Sequence, residues 1–359
     1  MSNTRVVVAM SGGVDSSVAA ALLVDQGHEV LGIMARLWAE GPAIGPNESA
    51  NRCCTPGAVD DARRVASVLG IPFYLLNLEA MFKACVVDPF VSEYARGRTP
   101  NPCIVCNREI RFGRLMQHAM ALDAGYLATG HYARVEQVAG HVRLLKGVDS
   151  QKDQSYVLYS LGQEELKRVL FPIGHLTKGE VREIARRRHL PVADRAESMD
   201  LCFVRDGDCH RFLRECSSDL VHPGPILDTA GHEIGRHQGL AFFTVGQRRG
   251  IGLAARVPLY VIRLEPASNA VVVGPAEALG RQSLRVTDVH YPECESPESP
   301  MRVVVKIRYR SVPEPATWTD AGGRTAQVTF DQPVRDISPG QSAVAYSGDT
   351  VFGGGIICE

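Results

Sequence analysis

The chain opens on a short apolar run, Arg5–Met10 (RVVVAM), with no polar alternation, the pattern of a strand buried on both faces of a parallel sheet. After a Gly-rich stretch, Ser17–Gln26 reads as a helix, and Gly27 is placed to end it. Glu29–Arg36 reads as the next strand, Asp60–Leu69 as a helix, Phe73–Asn77 as a strand, Arg108–Leu122 as a helix and Tyr126–Thr129 as a strand. This alternation predicts βαβ units, a parallel sheet with helices on both faces. Thr177 and Glu180 spell a capping box ahead of a basic helix reaching about His189. Near residue 220 the texture changes. Pro223-Gly224-Pro225 reads as a breaker cluster, and beyond it short β-rich runs replace helical periodicity: Leu259–Leu264, Ala270–Val273, Met301–Tyr309, Ala326–Phe330 and Ser342–Tyr346. Pro292–Pro300 reads as a linker or exposed loop. The expected architecture is α/β: an N-terminal parallel-sheet domain over 1–215, a small β-rich middle domain over 216–280 and a C-terminal β-barrel-like domain over 281–359.

Composition narrows the function classes. An apolar content of 45% over 359 residues excludes a disordered or collagen-like chain. Lys and Arg number 39 against 40 Asp and Glu, a net charge of −1, so a polyanion must be met by local patches. No apolar stretch reaches the ~18 residues a membrane span needs. The first residues run straight into a strand, which leaves no room for a signal or transit peptide, so a cytoplasmic location without a membrane partner is expected. Ten cysteines in a reducing compartment are not a disulfide framework. Cys209 and Cys216, seven apart on one helix face, are expected in the core. Cys53, Cys54, Cys85, Cys294 and Cys358 follow no pattern.

Ser11-Gly12-Gly13-Val14-Asp15-Ser16-Ser17 sits between the first strand and the first helix. Glycines there allow a tight turn that gathers backbone N–H groups, the helix N-terminus adds a positive dipole end, and the serines add hydroxyls. No G-x-x-x-x-G-K-[ST] occurs in the chain, so the loop suits a pyrophosphate better than γ-phosphoryl transfer. Gly250–Ala255 matches G-x-G-x-x-A but lacks a following helix and reads as a turn. Cys103 and Cys106 have metal-ligand spacing without a second C-x-x-C to complete four ligands. Cys202, between Leu201 and Phe203, taken alone reads as a buried strand residue. His131 reads equally well as a structural or a site histidine. The basic runs Arg186–Arg188, Arg248–Arg249 and Arg308/Arg310 each read as solvated faces; together, with nearby aromatics, they make a phosphate-tracking surface plausible.

SGGVDSS after an N-terminal strand resembles the PP-loop ATP pyrophosphatases, which cleave ATP between the α and β phosphates and adenylate a substrate oxygen. Asn101–Asn107 (NPCIVCN), Ala128–Tyr132 (ATGHY), Lys152–Tyr156 (KDQSY), Leu201–Phe203 (LCF), Gly246–Gly250 (GQRRG), Arg308–Arg310 (RYR), Pro339–Ser342 (PGQS) and Gly353–Gly355 follow in order. Together they are similar to the tRNA-specific 2-thiouridylase family, over about residues 5–357. The resemblance implies an adenine nucleotide α hydrolase-like fold for the first domain and a tRNA-binding middle domain. It implies a tRNA-uridine 2-sulfurtransferase acting on the wobble uridine (U34): ATP adenylates O2, pyrophosphate leaves, and sulfur from a cysteine persulfide displaces AMP. ATP and Mg²⁺ are the implied cofactors, and persulfide sulfur the co-substrate. The implied partners are the anticodon loop of wobble-uridine tRNAs and a sulfur-donor protein, a cysteine desulfurase or sulfur-relay carrier.

Residue roles carry over in the same way. Cys202 is implied as the persulfide carrier and Cys106 as the active-site-loop nucleophile that takes part in sulfur release, with a Cys106–Cys202 disulfide as one outcome; that demands Cα atoms within about 7 Å at some stage. Ala9, Met10, Ser11, Gly12, Gly13, Val14, Asp15 and Ser16, with main chain near Ala35 and Gly130, are implied to hold ATP, and Asp15 to help place Mg²⁺. Asn101, Pro102, Cys103, His131, Asp153, Gln154, Ser155, Arg308, Tyr309 and Gln341 are implied at the tRNA. No metal-ligand set is assigned. One departure stands out: the family loop reads Asn-Pro-Asp-x-x-Cys, and Cys103 occupies the Asp position. Either a thiolate or water handles the proton, or the Asp role is dispensable, or Cys103, Cys106 and Cys202 form a trio suited to an iron–sulfur cluster and the enzyme is an iron–sulfur-dependent thiolase. Two rivals remain. Another adenylating PP-loop synthetase would need neither paired thiols nor an RNA-reading β domain. A zinc-stapled RNA-binding module would leave the phosphate loop unexplained.

Overall fold

The computed structural model describes residues 4–38, 40, 55–195, 201–204, 206–217, 220–293 and 296–358. Cys53, Cys54, Cys294 and part of 292–300 lie outside them. Val6, Val7 and Val8 are fully buried because their strand, β1 (Arg5–Ala9), lies in the middle of a five-stranded parallel sheet. β2 (Glu29–Arg36) and then β3 (Phe73–Asn77) lie on one side of it, and β4 (Tyr126–Thr129) and then Val169–Leu170 on the other. Side chains alternate across the sheet. Val6 and Val8 join a core with α1 (Val14–Asp25) and α2 (Pro56–Leu69), while Val7 joins another with Phe112 and Leu115 from the helical stretch 102–121. Helices thus cover both faces, as parallel sheets require.

α1 begins at Val14, three residues before the start expected from the sequence. Val14 and the residues from Ser16 to Ala21 are all buried, so the helix has no polar stripe to betray its phase. α2 likewise begins early, at Pro56, where Thr55 caps it by accepting the Ala58 N–H at 3.1 Å. The stretch 102–121 is continuous helix, but Cys106–Leu115 is wound as π-helix, a rare form that concentrates at functional sites.

The remaining chain is β-rich. Tyr260–Glu265, Ala270–Gly274, Gly224–Leu227 and Glu233–His237 form a four-stranded sheet in that order. Gly224 and Pro225 therefore open a strand, where the sequence pattern marked a breaker; proline is tolerated at a strand's first positions. Gly250 and Gly252 take positive φ in an irregular turn, as read. Arg281–His290, Thr325–Val334, Glu314–Gly322, Met301–Lys306, Ser342–Ser347 and Thr350–Ile357 pair antiparallel in that order, and the last pairs back onto the first to close a barrel. Trp318, Phe330, Val305 and Ala345 fill it. A hairpin from the N-terminal part, Ala133–Val138 with His141–Lys146, attaches to this barrel through Leu145 and Thr350. The two helical cysteines part company. Cys209 packs on the core, where burial pushes its thiol up to about 11, while Cys216, the last residue of its helix, is exposed.

Candidate active site

The phosphate loop is shaped by two glycines that other residues could not replace. Gly12 sits at φ +71°, and a Cβ there would collide with the Ala58 carbonyl, so α2 packs directly on the loop. Gly130, after β4, would place a Cβ 2.6 Å from the Ser16 nitrogen. The loop's hydroxyls fix it from inside: Ser16 Oγ accepts the Ser11 N–H at 3.1 Å, and Ser16 and Ser17 donate to the Gly13 carbonyl at 3.2 and 2.8 Å. Ala9 ends β1, Met10 N–H donates to the Ile33 carbonyl, Gly13 caps α1, and Val14 and Asp15 open it, where the N–H groups have no partner within the helix. Ala35 lies on the neighbouring strand β2.

Asp15 is held by residues that the sequence pattern did not single out. Tyr132 OH donates to Oδ1 at 2.8 Å, and Lys178 Nζ donates to Oδ1 and Oδ2 at 2.6 and 2.8 Å. Lys178 is the first residue of the helix Lys178–Arg187, whose Thr177 cap and Glu180 make the expected reciprocal pair. Its own N–H donates to Asp149. The capping box was legible; the lysine inside it was not, since its partner is far away in sequence. On the other side, Arg195 donates to the Gly12 carbonyl at 2.9 Å and pairs with Asp61 of α2. Two cationic side chains therefore bracket a loop built for anions.

His131 connects this loop to the thiol helix. It is buried, and Arg111 donates to its Nε2 at 3.1 Å. A guanidinium can only donate, so Nε2 carries the lone pair, and Nδ1–H donates to Thr129 Oγ1 at 2.7 Å. Burial first, then the Arg111 charge, push its pKa well below the ordinary 6.5, which agrees with a neutral ring. Arg111 also donates to Asn107 Oδ1 at 3.3 Å, and Asn107 donates to the Val157 carbonyl at 3.0 Å. Asn107 follows Cys106.

Cys106 is buried in the cluster of Phe82, Phe90, Ile110 and Phe203, and Cys202 packs against the same cluster at its half-buried edge. The fold thus brings two thiols far apart in sequence to one apolar body. Cys103 is exposed, its N–H donating to the Asn101 cap at 3.1 Å, with Pro102 in the first turn. Among the described residues no group of three or more His, Cys, Asp or Glu could hold a metal ion, so the trio of Cys103, Cys106 and Cys202 makes no such set.

Several of the residues implied at the RNA lie where the N-terminal domain meets the barrel. Gln341 donates to the Thr99 carbonyl at 2.9 Å, and Thr99 N–H donates to the Pro339 carbonyl at 2.8 Å, so Gln341 sits against the loop that leads into Asn101. Arg308 donates to Ser338 Oγ at 2.5 Å and to the Val245 carbonyl at 2.7 Å; burial lowers its pKa. Tyr309 faces Tyr156 with ring centroids 6.0 Å apart. Asp153 and Ser155 are buried: Asp153 accepts from Ser155 N–H, Ser155 Oγ and Gly147 N–H, and Ser155 Oγ reaches Tyr346. Gln154 accepts the Tyr132 N–H at 3.0 Å, beside His131. Of the basic runs, Arg186 pairs with Asp194 and Arg188 with Asp25.

Three family models cover the chain: the tRNA methyl transferase HUP domain over 4–206, the tRNA methyl transferase PRC-barrel domain over 210–275 and the aminomethyltransferase beta-barrel domain over 281–357. The tRNA-specific 2-thiouridylase MnmA of Moorella thermoacetica is 49% identical over 353 residues, 98% of each chain. That of Pelotomaculum thermopropionicum is 48% identical over 359 residues, 99% of this chain and 98% of its own. The chain belongs to the MnmA family. Its fold has the family's three parts: a parallel α/β domain, a PRC-barrel domain and a closed antiparallel barrel. Among solved structures, a 4-thiouridine synthetase–RNA complex with bound ATP is 18% identical over 60% of this MnmA-family chain and 51% of that one, with a TM-score of 0.36, a likeness too slight to argue from. No helix among the described residues is long and apolar enough to cross a membrane.

Proposed function

We infer that this MnmA-family chain is a tRNA-uridine 2-sulfurtransferase that uses ATP to adenylate its substrate. The observation that carries the site assignment is the chain of contacts from Ser16 past Gly130 to His131, Arg111 and Asn107, which supports reading the phosphate loop and the Cys106 helix as one site. ATP binds with its phosphates against the N–H groups of Ala9 to Ser16 and its remainder near Ala35 and Gly130. O2 of the wobble uridine attacks the α-phosphate, and pyrophosphate leaves towards Lys178. The terminal sulfur of a Cys202 persulfide, received from a desulfurase or relay carrier, then attacks the activated carbon, and AMP departs. Cys106 takes part in freeing the sulfur, leaving a Cys106–Cys202 disulfide. Neutral His131 contributes orientation and not charge.

Asp15 fits as a single protein ligand for Mg²⁺, which commonly uses one or two carboxylates with phosphates and water. The ion would offset phosphate charge; for Asp15 to serve it, Lys178 must first release one oxygen. Chemistry on the nucleotide is assigned to 1–215. RNA docking is assigned to 216–280 and 281–359 with Asn101, Pro102 and the segment 153–155, in the cytoplasm. Arg308 and Gln341 contribute by fixing the loops they bind. The test is ATP–pyrophosphate exchange with and without unmodified tRNA, followed by nucleoside analysis. Exchange that needs tRNA, with 2-thiouridine formed when sulfur is supplied, is the expected result. Exchange without tRNA would favour a small-molecule synthetase.

A further inference from the structure

Cys103-Ile104-Val105-Cys106 forms the first turn of the helical stretch 102–121, with Asn101 as its cap and Pro102 at its first position. Three residues along an α-helix rise ~4.5 Å and return almost to the starting azimuth, which puts the two Cα atoms about 5 Å apart. That lies inside the window of roughly 4.4–6.8 Å for a disulfide. The two positions differ in access: Cys103 is exposed and Cys106 is buried. The helix N-terminus also favours the thiolate of Cys103. Exposed attacking thiol, buried partner and first-turn spacing are together the arrangement of a dithiol redox pair.

The proposed reaction creates a need for one. It rests on the reading above, in which each turnover leaves a Cys106–Cys202 disulfide. That bond forms against the cluster of Phe82, Phe90 and Phe203, where a protein-sized reductant has poor access to Cys106. We propose that Cys103 is the resolving thiol of this enzyme. Its thiolate attacks Cys106 Sγ, the Cys106–Cys202 bond breaks, and the electron pair leaves on Cys202, which takes a proton from solvent. No net oxidation occurs in this step: one disulfide is exchanged for another, Cys103–Cys106. Cys202 is returned as a thiol, ready to accept the next sulfur. A small or protein dithiol then supplies the two electrons that reduce Cys103–Cys106 at its exposed sulfur, and this drains the exchange forward. The Cys at position 103 therefore gains a role that an aspartate there cannot perform.

The test is a disulfide map after one turnover. Full-length enzyme with a persulfide on Cys202 is mixed with ATP and unmodified tRNA without thiol reductant, quenched in acid, alkylated and digested with trypsin. Cys103 and Cys106 share the peptide 99–108. The expected product is that peptide carrying an internal bond, two hydrogens lighter and unalkylated, with Cys202 alkylated. In Cys103→Ser, the peptide 99–108 should instead be found cross-linked to the Cys202 peptide. Wild-type enzyme that holds the Cys106–Cys202 cross-link with Cys103 alkylated overturns the proposal while leaving the parent reading intact. If Cys103→Ser forms 2-thiouridine with no bond at Cys106, the parent reading itself fails. A second readout needs no turnover: Cys202→Ser equilibrated with oxidised glutathione should form the Cys103–Cys106 bond, and its absence also overturns the proposal.

Discussion

Lys178 Nζ reaches both carboxylate oxygens of Asp15, at 2.6 and 2.8 Å, from the first position of a helix more than 160 residues downstream. The pair closes one side of the phosphate loop. A lysine so placed can exchange its carboxylate for a departing pyrophosphate without leaving the site. Lys178→Ala should lower tRNA-dependent pyrophosphate release by about 10²–10³-fold, the usual effect of removing a preorganised charge from developing negative charge. Lys178→Arg should recover part of it. A loss below tenfold would mean that Lys178 only props Asp15.

His131 makes stability depend on pH in a known direction. Its folded pKa is depressed below 6.5 by burial and by Arg111, so the unfolded chain binds the proton that the folded chain refuses. Stability from this residue is complete above about 6.5 and falls as pH drops through the window between 6.5 and the folded value. The slope is at most about 1.4 kcal/mol per pH unit. His210, His237 and His290 are also lowered by burial, so the informative quantity is the difference between proteins. Denaturant unfolding of His131→Gln between pH 5 and 6.5 should show a shallower slope than wild type. Equal slopes would mean that folding leaves the titration of His131 unshifted.

Arg308 pins the middle domain to the barrel through Val245 and Ser338. Arg308→Ala should cost roughly 1.5–3 kcal/mol, as hydrogen bonds from a charged donor do, and should weaken tRNA binding by loosening the Pro339–Gln341 turn. Because its Nη2 is committed to Val245 and Ser338 and its Nε is buried, the dependence of affinity on salt should be unchanged. A slope shallower by about one counterion would place Arg308 on a phosphate instead.

Much of this arrangement was legible in the chain. Val6, Val7 and Val8 announced a doubly buried strand, Gly12 the loop, and Thr177 with Glu180 the helix that carries Lys178. What was not legible depends on contacts between segments remote in sequence. Nothing local in Lys178 or Arg195 marks a partner in the phosphate loop. Arg111 reads as one more basic residue until the fold sets it against His131. The start of α1 was hidden because a helix buried all round has no amphipathic stripe. The hairpin 133–146 reads as part of the N-terminal domain, and only the pairing of Leu145 with Thr350 shows that it belongs to the barrel's sheet. Cys216 shares a helical face with Cys209, yet the helix ends at that residue and leaves it exposed.

The central claim is that one site activates the uridine at the phosphate loop and delivers sulfur from a separate thiol. Cys202→Ser separates the two acts. With ATP, unmodified tRNA and a sulfur donor, pyrophosphate release and 2-thiouridine are measured in the same reaction. The account predicts that Cys202→Ser keeps tRNA-dependent pyrophosphate release and makes no 2-thiouridine. Loss of both, or 2-thiouridine formed at the wild-type rate, would contradict it.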